Sequence, residues 1–247
     1  MHMRYLEYVI LCLFLVIAGC TNKKSIIPDN YFPSEIYASA QKKLQNGNYT
    51  SAIKDLEELE NLYLSGFYMQ QVQLDLIYAY YKSANLSMAK VSIDRFLRLN
   101  PIHQNIDYVL YVRGLTNMML DENKLQEFFG IDRSDRSLEY SREAFNDFSQ
   151  LIRDYPDSKY NIDVTKYLVY LKERLAKHNL CIVKYYNKLD AYVAIVNRVE
   201  KMLRDFPDIK ATQQALPYME KAYRELQLNN QIDKTEKIKN KSKLIFR

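Results

Sequence analysis

The 247-residue chain has no tryptophan, only five glycines and six prolines, three cysteines and three histidines. So little glycine and proline excludes an all-β sandwich or barrel, which at this length needs many tight turns. It also leaves no glycine-rich phosphate loop of the P-loop or dinucleotide-binding kind. His2, His103 and His178 stand far apart with no second ligand at helical spacing, so neither a zinc site nor any other metal or cofactor is expected. There is no serine elbow and no Cys-x-x-Cys pair. Glu57, Glu58 and Glu60 read as a solvated helix face rather than as catalytic acids, and the chain is expected not to be an enzyme. No apolar run reaches the roughly 20 residues that a membrane-spanning helix requires. Tyrosine is what abounds: 22 of them, with 10 phenylalanines, supply ample core volume. At 48% hydrophobic and 26% charged, the composition is that of a folded chain.

The N-terminus differs from the rest. Arg4 precedes an apolar run from Tyr8 to Ala18, which ends in Ile17-Ala18-Gly19-Cys20. Residues 1–19 read as a secretory signal with small residues before its cleavage point, although Glu7 departs from the pattern. An aliphatic residue, Ala, Gly and then Cys resembles the lipobox of bacterial lipoproteins. That resemblance implies acylation of Cys20, and several acyl chains suffice for stable membrane anchoring. Thr21, in place of Asp, implies the outer membrane by the same resemblance. The other reading is a cytosolic protein with an apolar N-terminal helix, which gives no reason for the run to end at Cys and the polar Thr21-Asn22-Lys23-Lys24. Cys12 leaves with the signal, so Cys181 stands alone, no internal disulfide can form, and it reads as a buried inert thiol. Residues 20–33, with Pro28 and Pro33, read as a lipidated linker.

From Glu35 onward the apolar spacing is helical, and one column set recurs. Ala52, Leu56, Leu59 and Leu64 form the first copy; Ala89, Ile93, Phe96 and Pro101 the second. Ala144, Phe148, Leu151 and Pro156 form the third; Ile195, Val199, Met202 and Pro207 the fourth. The first three members of each copy share one helix face, and the proline ends the helix. Tyr63, Tyr155 and Phe206 precede the breaker position in three copies. An amphipathic helix precedes each: 35–45, 69–83, 105–120 and 158–177. A final helix is expected over 211–228, with Pro217 kinking it or shifting its start. The pattern resembles the tetratricopeptide repeat, a 34-residue helix–turn–helix. Spacings of 37, 55 and 51 residues between Ala52, Ala89, Ala144 and Ile195 leave room for an inserted loop at 121–137 and for extra helix around 177–190. Four or five repeats follow, with an irregular helical bundle as the alternative.

Four longer stretches carry a more specific resemblance: Gln70 to Lys82 (QQVQLDLIYAYYK), Arg113 to Met118 (RGLTNM), Phe128 to Arg136 (FFGIDRSDR) and Ala191 to Glu200 (AYVAIVNRVE). They resemble the tetratricopeptide lipoproteins of the outer-membrane β-barrel assembly machine, over nearly the whole chain. The resemblance implies an all-α superhelical solenoid of about five repeats, lipid-anchored through Cys20 to the outer membrane and facing the periplasm. It implies that the C-terminal repeats, 138–228, dock on the periplasmic domains of the barrel-forming subunit. The N-terminal repeats, 34–120, would offer a groove to unfolded outer-membrane proteins or to an extended accessory lipoprotein. Leu64 at the first breaker position and the Lys-rich tail, 229–247, depart from the family pattern.

Candidate residues follow. Arg198, between Asn197 and Glu200, should sit at the rim of the face made by Ile195, Val199 and Met202. It is either a docking arginine or a surface arginine paired with Glu200 or Asp205. Tyr37, Gln41, Gln71, Tyr78 and Tyr81 fall on the other face of the first helices of repeats one and two. They either hold an extended peptide or fill inter-repeat packing. Asp132 to Arg136 reads as a loop of local ion pairs or as a recognition loop. The net charge of +5 is concentrated in the tail, which holds six basic residues against two acids. The nearly neutral body suits protein recognition and not nucleic acid. The alternative function is another repeat lipoprotein that assists pilus or secretin assembly.

Overall fold

A computed structural model describes residues 32–62, 68–121, 138–228 and 230–232. The signal, Cys20, Leu64, Phe128-Phe129, the 132–136 stretch and most of the tail lie outside the described residues.

The described residues form nine long helices and no strand. In chain order they are α1 (Pro33–Gln45), α2 (Tyr49–Leu62), α3 (Met69–Lys82), α4 (Leu86–Leu99), α5 (Ile106–Asp121), α6 (Glu139–Asp154), α7 (Asn161–Lys188), α8 (Tyr192–Asp205) and α9 (Lys210–Glu225). Each packs on the next, and α3 also meets α5 as α7 meets α9. This is a helical repeat solenoid of the tetratricopeptide kind. The odd-numbered helices open each repeat and the even-numbered close it; α9 opens a fifth, and residues 230–232 beyond it are helical.

The recurring columns explain the packing. Ala52, Ala89, Ala144 and Ile195 are fully buried, as are their partners four residues on. Burial contributes about 2 kcal/mol for each of the larger side chains, Leu56, Ile93, Phe148, Ile195 and Val199. The breakers work by one geometry. Asn100, Tyr155 and Phe206, each before a proline, leave the helix at φ near −135° (−131°, −133° and −140°). Each still donates its N–H four residues back, to Phe96, Leu151 and Met202, and its carbonyl accepts from the residue three positions on. The Pro-containing turn thus hands the chain to the next odd-numbered helix.

Within repeats the turn is different. Gly47, Ala84, Asp190 and Gln227 are left-handed, with φ of 72°, 58°, 51° and 59°. In each the following residue donates five positions back, to Lys43, Tyr80, Tyr186 and Tyr223. These are Schellman caps. Only the first uses glycine.

Two boundaries differ from expectation, and the extra helix expected around 177–190 is present as a continuation of α7. Pro33 is the first residue of α1 and does not belong to the linker, because its fixed φ suits that position. Helix α7 runs on to Lys188, since nothing between 177 and 188 breaks it; the long third spacing therefore hides no extra repeat. Helix α9 starts at Lys210 and passes through Pro217, whose ring lies on the exposed face.

The middle of the solenoid is unusually tight. Gly114 of α5 lies against Phe148 of α6; a Cβ there would stand 2.3 Å from its ring. Glycine lets α5 and α6 approach, at about 1 kcal/mol of helix propensity. Beside it Arg113 pairs with Asp147 at 2.7 Å, Asn117 donates to the same carboxylate at 2.9 Å, and Arg174 of α7 pairs with Asp121 at 2.7 Å. Glu57 and Glu60 are not merely solvated: Tyr80 donates to Glu57, and Arg95 pairs with Glu60.

Candidate functional site

Two helix surfaces carry the sequence-derived candidates. The first lies on α1 and α3. Tyr37 and Gln41, one turn apart on α1, both point across to Asp75 of α3. The Tyr37 hydroxyl donates to Oδ2 at 2.9 Å and Gln41 Nε2 donates to the same oxygen at 2.5 Å. Gln71, one turn before Asp75, donates to Oδ1 at 2.9 Å. Three of the five groove candidates therefore converge on one carboxylate. Burial holds that carboxyl above the usual carboxylate range, against the pull of the hydrogen bonds from Gln71, Tyr37 and Gln41. Burial, and then the charge of Asp75, pushes the Tyr37 phenol well above its ordinary value.

Tyr78 lies one turn beyond Asp75 and is exposed. Its ring meets Tyr49 edge-on at 5.9 Å. Tyr81 is half-buried and packs against two core clusters at once, so it serves inter-repeat packing as well as lining the surface. The aromatic surface continues onto α5, where Tyr111 stacks on Tyr160 at 4.5 Å. Asp75 is the member that sequence reasoning missed. The signal was there: 71, 75 and 78 follow helical spacing, and Asp75 fills the gap between two named residues.

The second surface lies on α8. Asn197 and Glu200 are exposed and Arg198 is half-buried at the rim of the packed face. Arg198 Nη1 donates to Asn179 Oδ1 of α7 at 3.2 Å, in place of the expected pairing with Glu200 or Asp205. Glu200 accepts from Tyr223 at 3.2 Å and Asp205 pairs with Lys201 at 3.5 Å. Burial, then the charge of Glu200, pushes the Tyr223 phenol up to about 12. Asn179 is itself fixed by donating to the Leu175 carbonyl at 2.7 Å. Val193, one turn before Asn197, is 60% exposed, and Leu189 and Tyr185 just before it are 58% exposed each. A held arginine and an exposed valine on the same helix are residue types that protein interfaces use.

Among the described residues, no group of three His, Cys, Asp or Glu could hold a metal ion. Cys181 is half-buried, not fully buried. Among the described residues no helix is long and apolar enough to cross a membrane.

Comparison with known proteins gives a consistent result. The chain is 39% identical over 236 residues to the outer membrane protein assembly factor BamD of Vibrio cholerae, covering 96% of this chain and 98% of that protein. It is 37% identical to the protein of the same name from Neisseria meningitidis serogroup B, over 84% of this chain and 78% of that one. It is 34% identical to that of Buchnera aphidicola, over 93% and 95%. Residues 29–238 match the profile of the YfiO family, described as an outer membrane lipoprotein. On that match, and on relatives that run alongside it almost end to end, the chain belongs to the YfiO family of outer membrane lipoproteins.

Proposed function

We propose that the protein is a non-enzymatic scaffold for outer-membrane protein assembly, anchored through acylated Cys20 with its repeats in the periplasm. Its C-terminal repeats dock on the periplasmic domains of the barrel-forming subunit, with Arg198 at the contact. Its N-terminal repeats hold extended segments of unfolded outer-membrane proteins, or of accessory lipoproteins, over Tyr37, Gln41, Gln71, Tyr78 and Tyr81. The observation that carries this reading is the separation of two chemically distinct surfaces on one solenoid whose relatives are named assembly factors. The first offers tyrosine faces and amides suited to an extended backbone. The second offers a half-buried arginine whose partner is a neutral amide, which leaves its charge free to meet a carboxylate. Lipid anchoring adds effective concentration at the membrane.

Depletion in the source organism is the test. Loss of outer-membrane porins with growth arrest is expected. Normal porin levels would instead point to a pilus or secretin chaperone. At residue level, a photo-crosslinker at position 78 should capture an unfolded barrel protein, and an absence of adducts would count against the groove.

A further inference from the structure

Asp75 is the groove residue whose electrostatics are not closed. Three other aspartates tucked between helices have a cation, Asp55 with Lys43, Asp121 with Arg174 and Asp147 with Arg113, while Asp107 accepts from the neutral Ser158 hydroxyl. Asp75 has only neutral donors, the hydroxyl of Tyr37 and the amides of Gln41 and Gln71, and no lysine or arginine pairs with it among the described residues. Two cations of the second repeat have other partners: Lys82 lies 5.8 Å from the Tyr49 ring centroid and Arg95 pairs with Glu60. Tyrosines lie about the carboxylate: Tyr37 reaches it with its hydroxyl, the Tyr68 ring is 6.5 Å from that of Tyr37, and Tyr78 follows one turn on.

A half-buried carboxylate with tyrosine side chains beside it and no internal cation suits an alkylammonium or guanidinium group. Both partial charges of such a group are met at once: the carboxylate takes its N–H donors and the ring faces take its flat or methylene surface. We infer that Asp75 is the recognition point for a lysine or arginine side chain carried by an extended partner segment in the groove. The incoming donors replace those of Gln41 and Gln71, whose flexible amide ends swing aside; Gln71 is already exposed. This rests on the groove reading and adds a charge requirement to it. The groove would then select segments in which a basic residue interrupts an otherwise apolar and polar alternation.

The test uses two capped decapeptides of alternating serine and valine, identical except for arginine or leucine at the centre, titrated against the full repeat body. The arginine peptide should bind about tenfold tighter, equivalent to about 1.4 kcal/mol. Asp75→Asn should remove that preference, and Asp75→Glu should restore part of it. A carboxamide oxygen still accepts from Tyr37 and Gln41, so Asp75→Asn is expected to fold, which thermal melting checks. Equal affinity of the two peptides for the native protein would overturn the inference and leave the groove standing. A preference that survives in Asp75→Asn would overturn the role of Asp75. Binding of neither peptide would overturn the groove itself, and the inference with it.

Discussion

The groove on α1 and α3 and the rim on α8 solve opposite problems with the same type of helix pair. In the groove, polar groups from two repeats turn toward one another and meet at Asp75. At the rim, Arg198 is steadied from behind by Asn179 while Asn197, Glu200 and Val193 face outward. The first surface is satisfied by neutral donors and, as a proposed binding groove, would exchange partners when occupied. The second, as a proposed docking rim, would gain partners when occupied. A site built on exchange tolerates ligands that vary around one fixed basic residue, because the contacts other than that to Asp75 replace old ones of similar strength. A site built on a poised arginine discriminates, because a wrong partner leaves a charge facing nothing.

The largest test of that contrast attacks the junction between the two. Gly114→Ala would force its Cβ into the ring of Phe148, which is fully buried and stacked on Tyr167 at 5.4 Å. Overpacking of this kind should cost about 3 kcal/mol. Thermal denaturation should show it, and both binding surfaces should weaken together. Next, Arg198→Glu should weaken recovery of the barrel-forming subunit in a pulldown by about 2 kcal/mol or more, with the melting temperature unchanged. Unchanged co-purification would sink the docking role. Asn179→Ala should weaken the same pulldown less, by about 1 kcal/mol, because it removes only the hydrogen bond that steadies Arg198.

The groove side makes a prediction in pH. Burial raises the folded-state affinity of Asp75 for its proton. A raised carboxyl contributes stability that is present in acid and is lost as pH rises through its folded value. Asp75→Asn removes that loss. The melting temperature of the variant minus that of the native protein should therefore grow more positive between about pH 4 and pH 7, starting from the ordinary carboxyl range. A difference flat in pH would show that Asp75 is not desolvated. The smallest effect belongs to the turns. Ala84 is held at φ 58°, and Ala84→Gly should stabilise by about 0.5 kcal/mol without touching either surface.

Much of the fold was legible because its signals repeat. The small–apolar–apolar column predicts a buried face, and Ala52, Leu56, Ala89, Ile93, Ala144, Phe148, Ile195 and Val199 are all fully buried. The prolines predict helix ends, and Pro101, Pro156 and Pro207 each follow one. What escaped had no local signature. Three of four left-handed caps carry Ala, Asp or Gln, so only tertiary packing marks them. Asp75 looks like any acid on a polar face until α1 is laid against α3. Arg198 has acids in reach along its own helix, yet its partner comes from α7, a choice that sequence spacing cannot reveal.

Helix α7 has a consequence of its own. Its 28 residues span about 42 Å at 1.5 Å per residue. Val164 and Leu171 near its start belong to the central cluster, while Leu175, Leu180 and Val183 belong to the C-terminal one. Where other repeats turn a corner, this one continues as an unbroken rod shared by both cores. It works as a ruler: the interval between the middle of the solenoid and the arginine rim is fixed by a residue count and not by a joint. Adding or deleting one turn of α7 would leave every local contact type available and still displace the C-terminal repeats by about 5 Å.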